Sequence, residues 1–147
     1  MSAEDGSITL VLGDAEHRFR IAYGQWRELQ ESINKPRLEI GQPVIGPRDL
    51  FLLLLDKNAW AHDVREVIRL GLIGGGMKPD RALVLVKRHL EGNQPWFLCN
   101  ELARQVLQVA MFGPPDDQVG KDATPAAPET PATNASGSQP STASVLQ

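Results

Sequence analysis

The sequence predicts a mainly α fold of the α+β kind: an N-terminal β-hairpin, then a compact bundle of about five short helices, then a disordered C-terminal tail. Three observations predict it. Residues 8–12 read as a strand, a turn follows at 13–16, and residues 18–21 alternate polar and apolar as the returning strand. Residues 23–113 carry apolar residues at helical spacing, in segments punctuated by proline and glycine. From Pro114 the composition shifts: residues 114–147 hold six of the eleven prolines, much Ala, Thr and Ser, and no aromatic residue. Such a segment cannot bury enough apolar surface to offset its ordering entropy. The implied organisation is a flexible start (1–7), one folded domain (8–113, with the hairpin over 8–22 and helices over 23–113) and the tail (114–147).

In the hairpin, residues 8–12 form the first strand, with Leu10 and Leu12 on one face, and residues 18–21 return after a turn at 13–16. Residues 23–33 make the first helix, with Trp26, Leu29 and Ile33 on one stripe. Pro36 is expected to end it, because the residue before a proline is pushed out of the helical region. Residues 37–46 then form a loop. The second helix spans 47–58 with Pro47 at its start. Its residues 50–55 are apolar all round, which marks a helix that is deeply buried or covered by a partner. It reads as the central helix of the core.

The stretch 63–76 organises the rest. Val64, Val67, Ile68 and Leu72 share one helical face, Asp63 is placed to cap the start with Glu66 three residues on, and Gly74, Gly75 and Gly76 stop the helix. Together with Gly71 these glycines make a corner, supplying positive φ and letting backbones approach closely. Lys78 and Pro79 open the fourth helix, with Ala82, Leu83, Val86 and Leu90 buried and Arg81, Lys87, Arg88 and Glu91 wet. After a break at 91–95, a fifth helix is expected with Asn93 or Gln94 as its cap and Pro95 in its first turn. Its stripe is Leu98, Leu102, Ala103, Val106, Leu107 and Ala110, and Gly113 with two prolines ends it.

The net charge is −3, and the tail accounts for it. Four of the 18 acidic residues (Asp116, Asp117, Asp122, Glu129) and one of the 15 basic residues (Lys121) lie there, leaving 14 of each sign before Pro114. A neutral folded part argues against a nucleic-acid binder, which needs a basic face. The single cysteine excludes an intramolecular disulfide, no signal peptide is visible, and no run approaches a membrane span. A cytoplasmic protein with no membrane partner is the expectation.

No motif supports catalysis or a cofactor. The run Gly71 to Lys78 differs from a phosphate loop: Met77 intervenes before Lys78, Pro79 stands at the hydroxyl position, and a helix precedes it where a strand is needed. His17, His62 and His89 are not at metal-ligand spacing with one another or with Cys99. Cys99 reads as a small buried residue. Trp60, Trp96 and Phe97 sit at helix junctions, where tryptophans usually plug the ends of a core. They are also the candidate partner-binding residues, because this residue class is enriched in binding hot spots.

The sequence from about Ile8 to Gly113 resembles the gene transfer agent family of phage tail proteins, grouped with the tail assembly chaperones. The resemblance is carried by Val67-Ile68-x-x-Gly71-Leu-Ile-Gly-Gly-Gly76, by Ala82-x-x-Leu85-Val86, by Leu102-Ala-x-x-Val106-Leu107 and by the closing Met111-Phe-Gly113. Lys78 stands where family members often have Ser or Thr. The resemblance implies a hairpin followed by helices. It also implies a tail assembly chaperone that binds the tape measure protein during tail morphogenesis, without catalysis and with self-association as a further option. The alternative is a structural tail component, a tube or terminator subunit retained in the particle, although a tube subunit usually needs more sheet than one hairpin.

Overall fold

The computed structural model describes residues 5–114. The expectation of a disordered tail falls outside those residues. The described part has the predicted class. Two antiparallel strands, β1 (Ser7–Leu12) and β2 (Ala15–Arg20), precede five helices: α1 (Tyr23–Glu39), α2 (Pro47–Leu55), α3 (Ala61–Gly74), α4 (Pro79–Arg88) and α5 (Trp96–Phe112). A wide helical turn, His89–Asn93, joins α4 to α5.

The hairpin closes through a two-residue turn at Gly13 and Asp14, with Leu12 paired to Ala15 and Ile8 to Phe19. Gly13 has φ +72°, a conformation that favours glycine, and the His89 ring lies against it. The strand pairing sends Ile8, Leu10, Leu12 and Phe19 to the core side. A lone hairpin is marginal in water, and here it is held by α3 and α5, which pack against it.

The central helix is α3. It packs against β2, α1, α4 and α5, and eight of its 14 residues are buried. The expectation that the second helix is central is therefore corrected. α2 packs on α5 alone among the major contacts, burying Leu50 and Leu54 while Leu52 and Leu55 stay exposed. All-round apolarity on α2 does not mark burial, because periodicity reports a residue's character and not what covers it.

The first helix also runs further than expected. It passes through Pro36 to Glu39. Proline at 36 removes the N–H that would bond the Ser32 carbonyl, and the His62 imidazole supplies a replacement: its Nε2–H donates to Ser32 O at 3.0 Å. The helix ends instead at Gly41, φ +78°, where Gln42 N–H bonds Arg37 O at 2.8 Å and Gly41 N–H bonds Leu38 O at 3.2 Å. This is a Schellman ending. α2 and α3 end the same way, around Lys57 (φ +57°) and Gly76 (φ +114°). The helix starts also share a device: Gln25, Asp49 and Asp63 each accept from a backbone N–H three residues earlier, at the starts of α1, α2 and α3. Asp63 is thus the third residue of its helix and not the cap. At α5 the order is likewise corrected: Pro95 precedes the helix, accepting from Leu98 N–H, so the turn needs no Asn93 or Gln94 cap.

Candidate functional site

The two sets of residues singled out in the sequence lie at opposite ends of α3, with a polar seam between α1 and α3 joining them.

At the C-terminal end, the glycine corner packs directly on the hairpin. A Cβ on Gly74 would lie 1.9 Å from Arg20 O, and one on Gly75 would lie 2.0 Å from Arg18 O. Gly71, one turn earlier, faces Phe19 and Val106 at 3.2 Å. Spacing of three and four residues puts all three on one helical face: Gly74 and Gly75 meet the backbone of β2, and Gly71 meets side chains of β2 and α5. Arg18 reinforces the contact by donating to Gly75 O at 3.2 Å. The run therefore divides its labour: Gly71, Gly74 and Gly75 serve close approach, and only Gly76 uses positive φ. Gly75 has φ −79°, which corrects the expectation that it needs glycine for conformational reasons. Strand carbonyls occupy the space beside the glycines, which is the opposite of a phosphate cradle built from N–H donors.

At the N-terminal end, Trp60 precedes α3 and Trp96 opens α5. Each is 36% exposed, and Phe97 is 58% exposed, so Phe97 does not plug the core. Trp60 stacks on the Arg37 guanidinium, 4.2 Å from the ring centroid. Trp96 lines a cleft of about 280 Å³ with Ala61, His62, Arg65, Leu90 and Glu91. The structure thus brings Trp60 and Trp96 to the same end of α3 but into different surroundings. The nearby Cys99 is buried, and burial pushes its thiol up, away from the reactive thiolate.

The seam leaves no local signal in the sequence. Arg37, assigned to a loop by sequence, is 4% exposed and forms a bidentate pair with the fully buried Asp63, at 2.8 and 2.7 Å, while donating to Ile33 O at 2.7 Å. Next to it, Ser32 donates to Glu66 at 2.7 Å, and Arg69 holds the same carboxylate at 2.8 and 3.0 Å. Burial pushes the Glu66 carboxyl up, but the hydrogen bonds from Arg69 and Ser32 more than reverse this and hold it below the usual carboxylate range. Helical periodicity carried through Pro36 would have placed Arg37 on the Ile33 side of α1. The proline signal masks that continuity.

Among the described residues no group of three or more His, Cys, Asp or Glu is placed to hold a metal ion, and no helix is long and apolar enough to cross a membrane. Exposed apolar residues lie on α2 and α5.

A family model described as "Phage tail tube protein, GTA-gp10" matches residues 5–113. No curated protein and no solved structure matches the chain. The family match corrects the expectation of a tail assembly chaperone: the matching family is one of tail tube proteins, which agrees with the alternative of a structural component.

Proposed function

The chain belongs to the phage tail tube protein family, and we propose on that premise that it is a structural subunit of a phage or gene-transfer-agent tail, retained in the finished particle. The observation that carries this reading is the reach of the match, which takes in both strands and all five helices. Supporting it, Leu52 and Leu55 on α2 and Phe97 and Leu98 on α5 remain exposed, leaving apolar surface for neighbouring tail proteins. Trp60 and Trp96 are further contact residues in this reading. Copies of the chain itself are the first partners, and the tape measure protein, around which a tube polymerises, is the next. The sheet among the described residues is a single hairpin, so the wall that this subunit builds is largely helical.

Mass spectrometry of purified particles tests the proposal. The protein is expected among the abundant tail components, with antibody labelling distributed along the tail. Its absence from particles that carry the other tail proteins overturns the reading.

A further inference from the structure

The two sides of the hairpin differ in character. On the β2 side lie the glycine corner and α4. Arg18 and His17 share a cleft with Lys78 and Arg81 there, and Arg81, Lys87 and Arg88 are exposed along α4 with Val84, 53% exposed, between them. Asp80 is the one acidic residue of α4. On the β1 side a cleft of about 250 Å³ opens between the strand and α5, lined by Val11, Leu12, Leu98 and Leu102. Val11 and Leu98 are 59% and 57% exposed. Residues 92–100, which include the start of α5, carry no charge, and charge depletion marks the core of an interface. Two acidic residues border it on the hairpin: Glu16 pairs directly across from Val11, and Asp14 occupies the turn. Among the described residues, no ion pair engages Asp14, Glu16, Lys78, Arg81, Lys87 or Arg88.

We propose that copies of this chain associate head to tail across these two surfaces: Val84, flanked by Arg81 and Lys87 on α4 of one copy, seats in the Val11–Leu98 cleft of the next, beside its Asp14 and Glu16. The occupant is a second copy because one molecule carries both halves of a complementary pair: an apolar knob with a basic rim, and an apolar cleft with an acidic rim. Within a copy, no ion pair among the described residues joins the two halves. The contact is between unlike patches, which generates rings or filaments and not closed two-fold dimers. Charge complementarity sets register and suppresses wrong pairings. The inference rests on the tail-tube reading for the premise that copies meet in the particle.

The test uses particles carrying the full-length chain with Cys99→Ala, because Cys99 also lines the cleft, and with Val84→Cys and Val11→Cys together, treated with a short bis-maleimide. The expected result is a ladder of covalent dimers, trimers and higher multimers. Each single-cysteine variant is expected to give no ladder. Glu16→Lys is expected to cut the multimer yield roughly tenfold, as like charges then face each other, and adding Lys87→Glu is expected to restore it. A single dimer band, or no cross-link in particles that contain the protein, overturns the interface while leaving the tail-tube reading intact. Absence of the unmodified protein from particles overturns both.

Discussion

At Gly74 and Gly75 the requirement for glycine is spatial, and at Gly76 it is conformational. The two kinds should respond differently to substitution. Gly74→Ala places a methyl against a strand carbonyl that cannot move without breaking the hairpin's seat, and is expected to cost about 3 kcal/mol. Gly76→Ala has open space and meets only backbone strain, for about 1–2 kcal/mol. Urea denaturation of the two variants checks the ranking, and equal losses would show that approach distance is not what the corner needs. Lys57 presents the converse case. It holds the left-handed position that Gly41 and Gly76 hold at the other two Schellman endings, so Lys57→Gly is expected to raise stability by about 0.5–1 kcal/mol, read as an increase in the urea midpoint at unchanged slope.

Between elements, the α1–α3 seam holds what local patterns do not reveal. Removing Arg37 strands the buried Asp63 carboxylate, and Arg37→Ala is expected to destabilise by about 3–5 kcal/mol, measured by thermal or urea unfolding. Pro36 and His62 form a second pairing across the same seam. His62→Ala leaves the Ser32 carbonyl without its donor, costing about 1 kcal/mol, whereas in a Pro36→Ala background the restored backbone N–H should remove most of that loss. A double-mutant cycle reads the coupling directly, and additive effects would refute it. This seam also explains what the sequence could and could not disclose. The hairpin and the stripes of α3 and α5 were legible because period-two and helical spacing are local properties. The passage of α1 through Pro36 was not, because its compensation comes from His62, on another helix. Arg37 read as a loop residue for the same reason. The glycine corner was legible as a corner, but its contact with β2 depends on where the strand lies, which composition does not record.

For the molecule as a whole, the carboxylates set the response to acid. Glu66, Glu101 and Asp5 all have folded-state pKa values below their ordinary ones: Glu66 through Arg69 and Ser32 against its burial, Glu101 chiefly through the hydrogen bond from Arg104, and Asp5 chiefly through the hydrogen bond with Ser7. A depressed carboxylate pKa contributes stability that is present above the unfolded value and lost as pH falls through the folded one. The melting temperature is therefore expected to fall as pH drops from about 5 to about 3. Glu66→Gln should flatten part of that fall, and a pH-independent melting temperature would contradict the assignment. Of the two exposed faces, the basic one was visible in the sequence as the wet side of the fourth helix. The apolar cleft was not, since it exists only where β1 meets α5.

The fit of α3 against β2 has a mechanical consequence. With Gly74 and Gly75 seated on the carbonyls of Arg18 and Arg20, the outer margin of β2 is closed to another strand, and no backbone ladder can pass from one molecule to the next through it. On the proposed structural reading, a tail assembled from such units is jointed along this margin and not woven. On that side, flexing between copies falls on side-chain contacts, which ionic strength softens or stiffens.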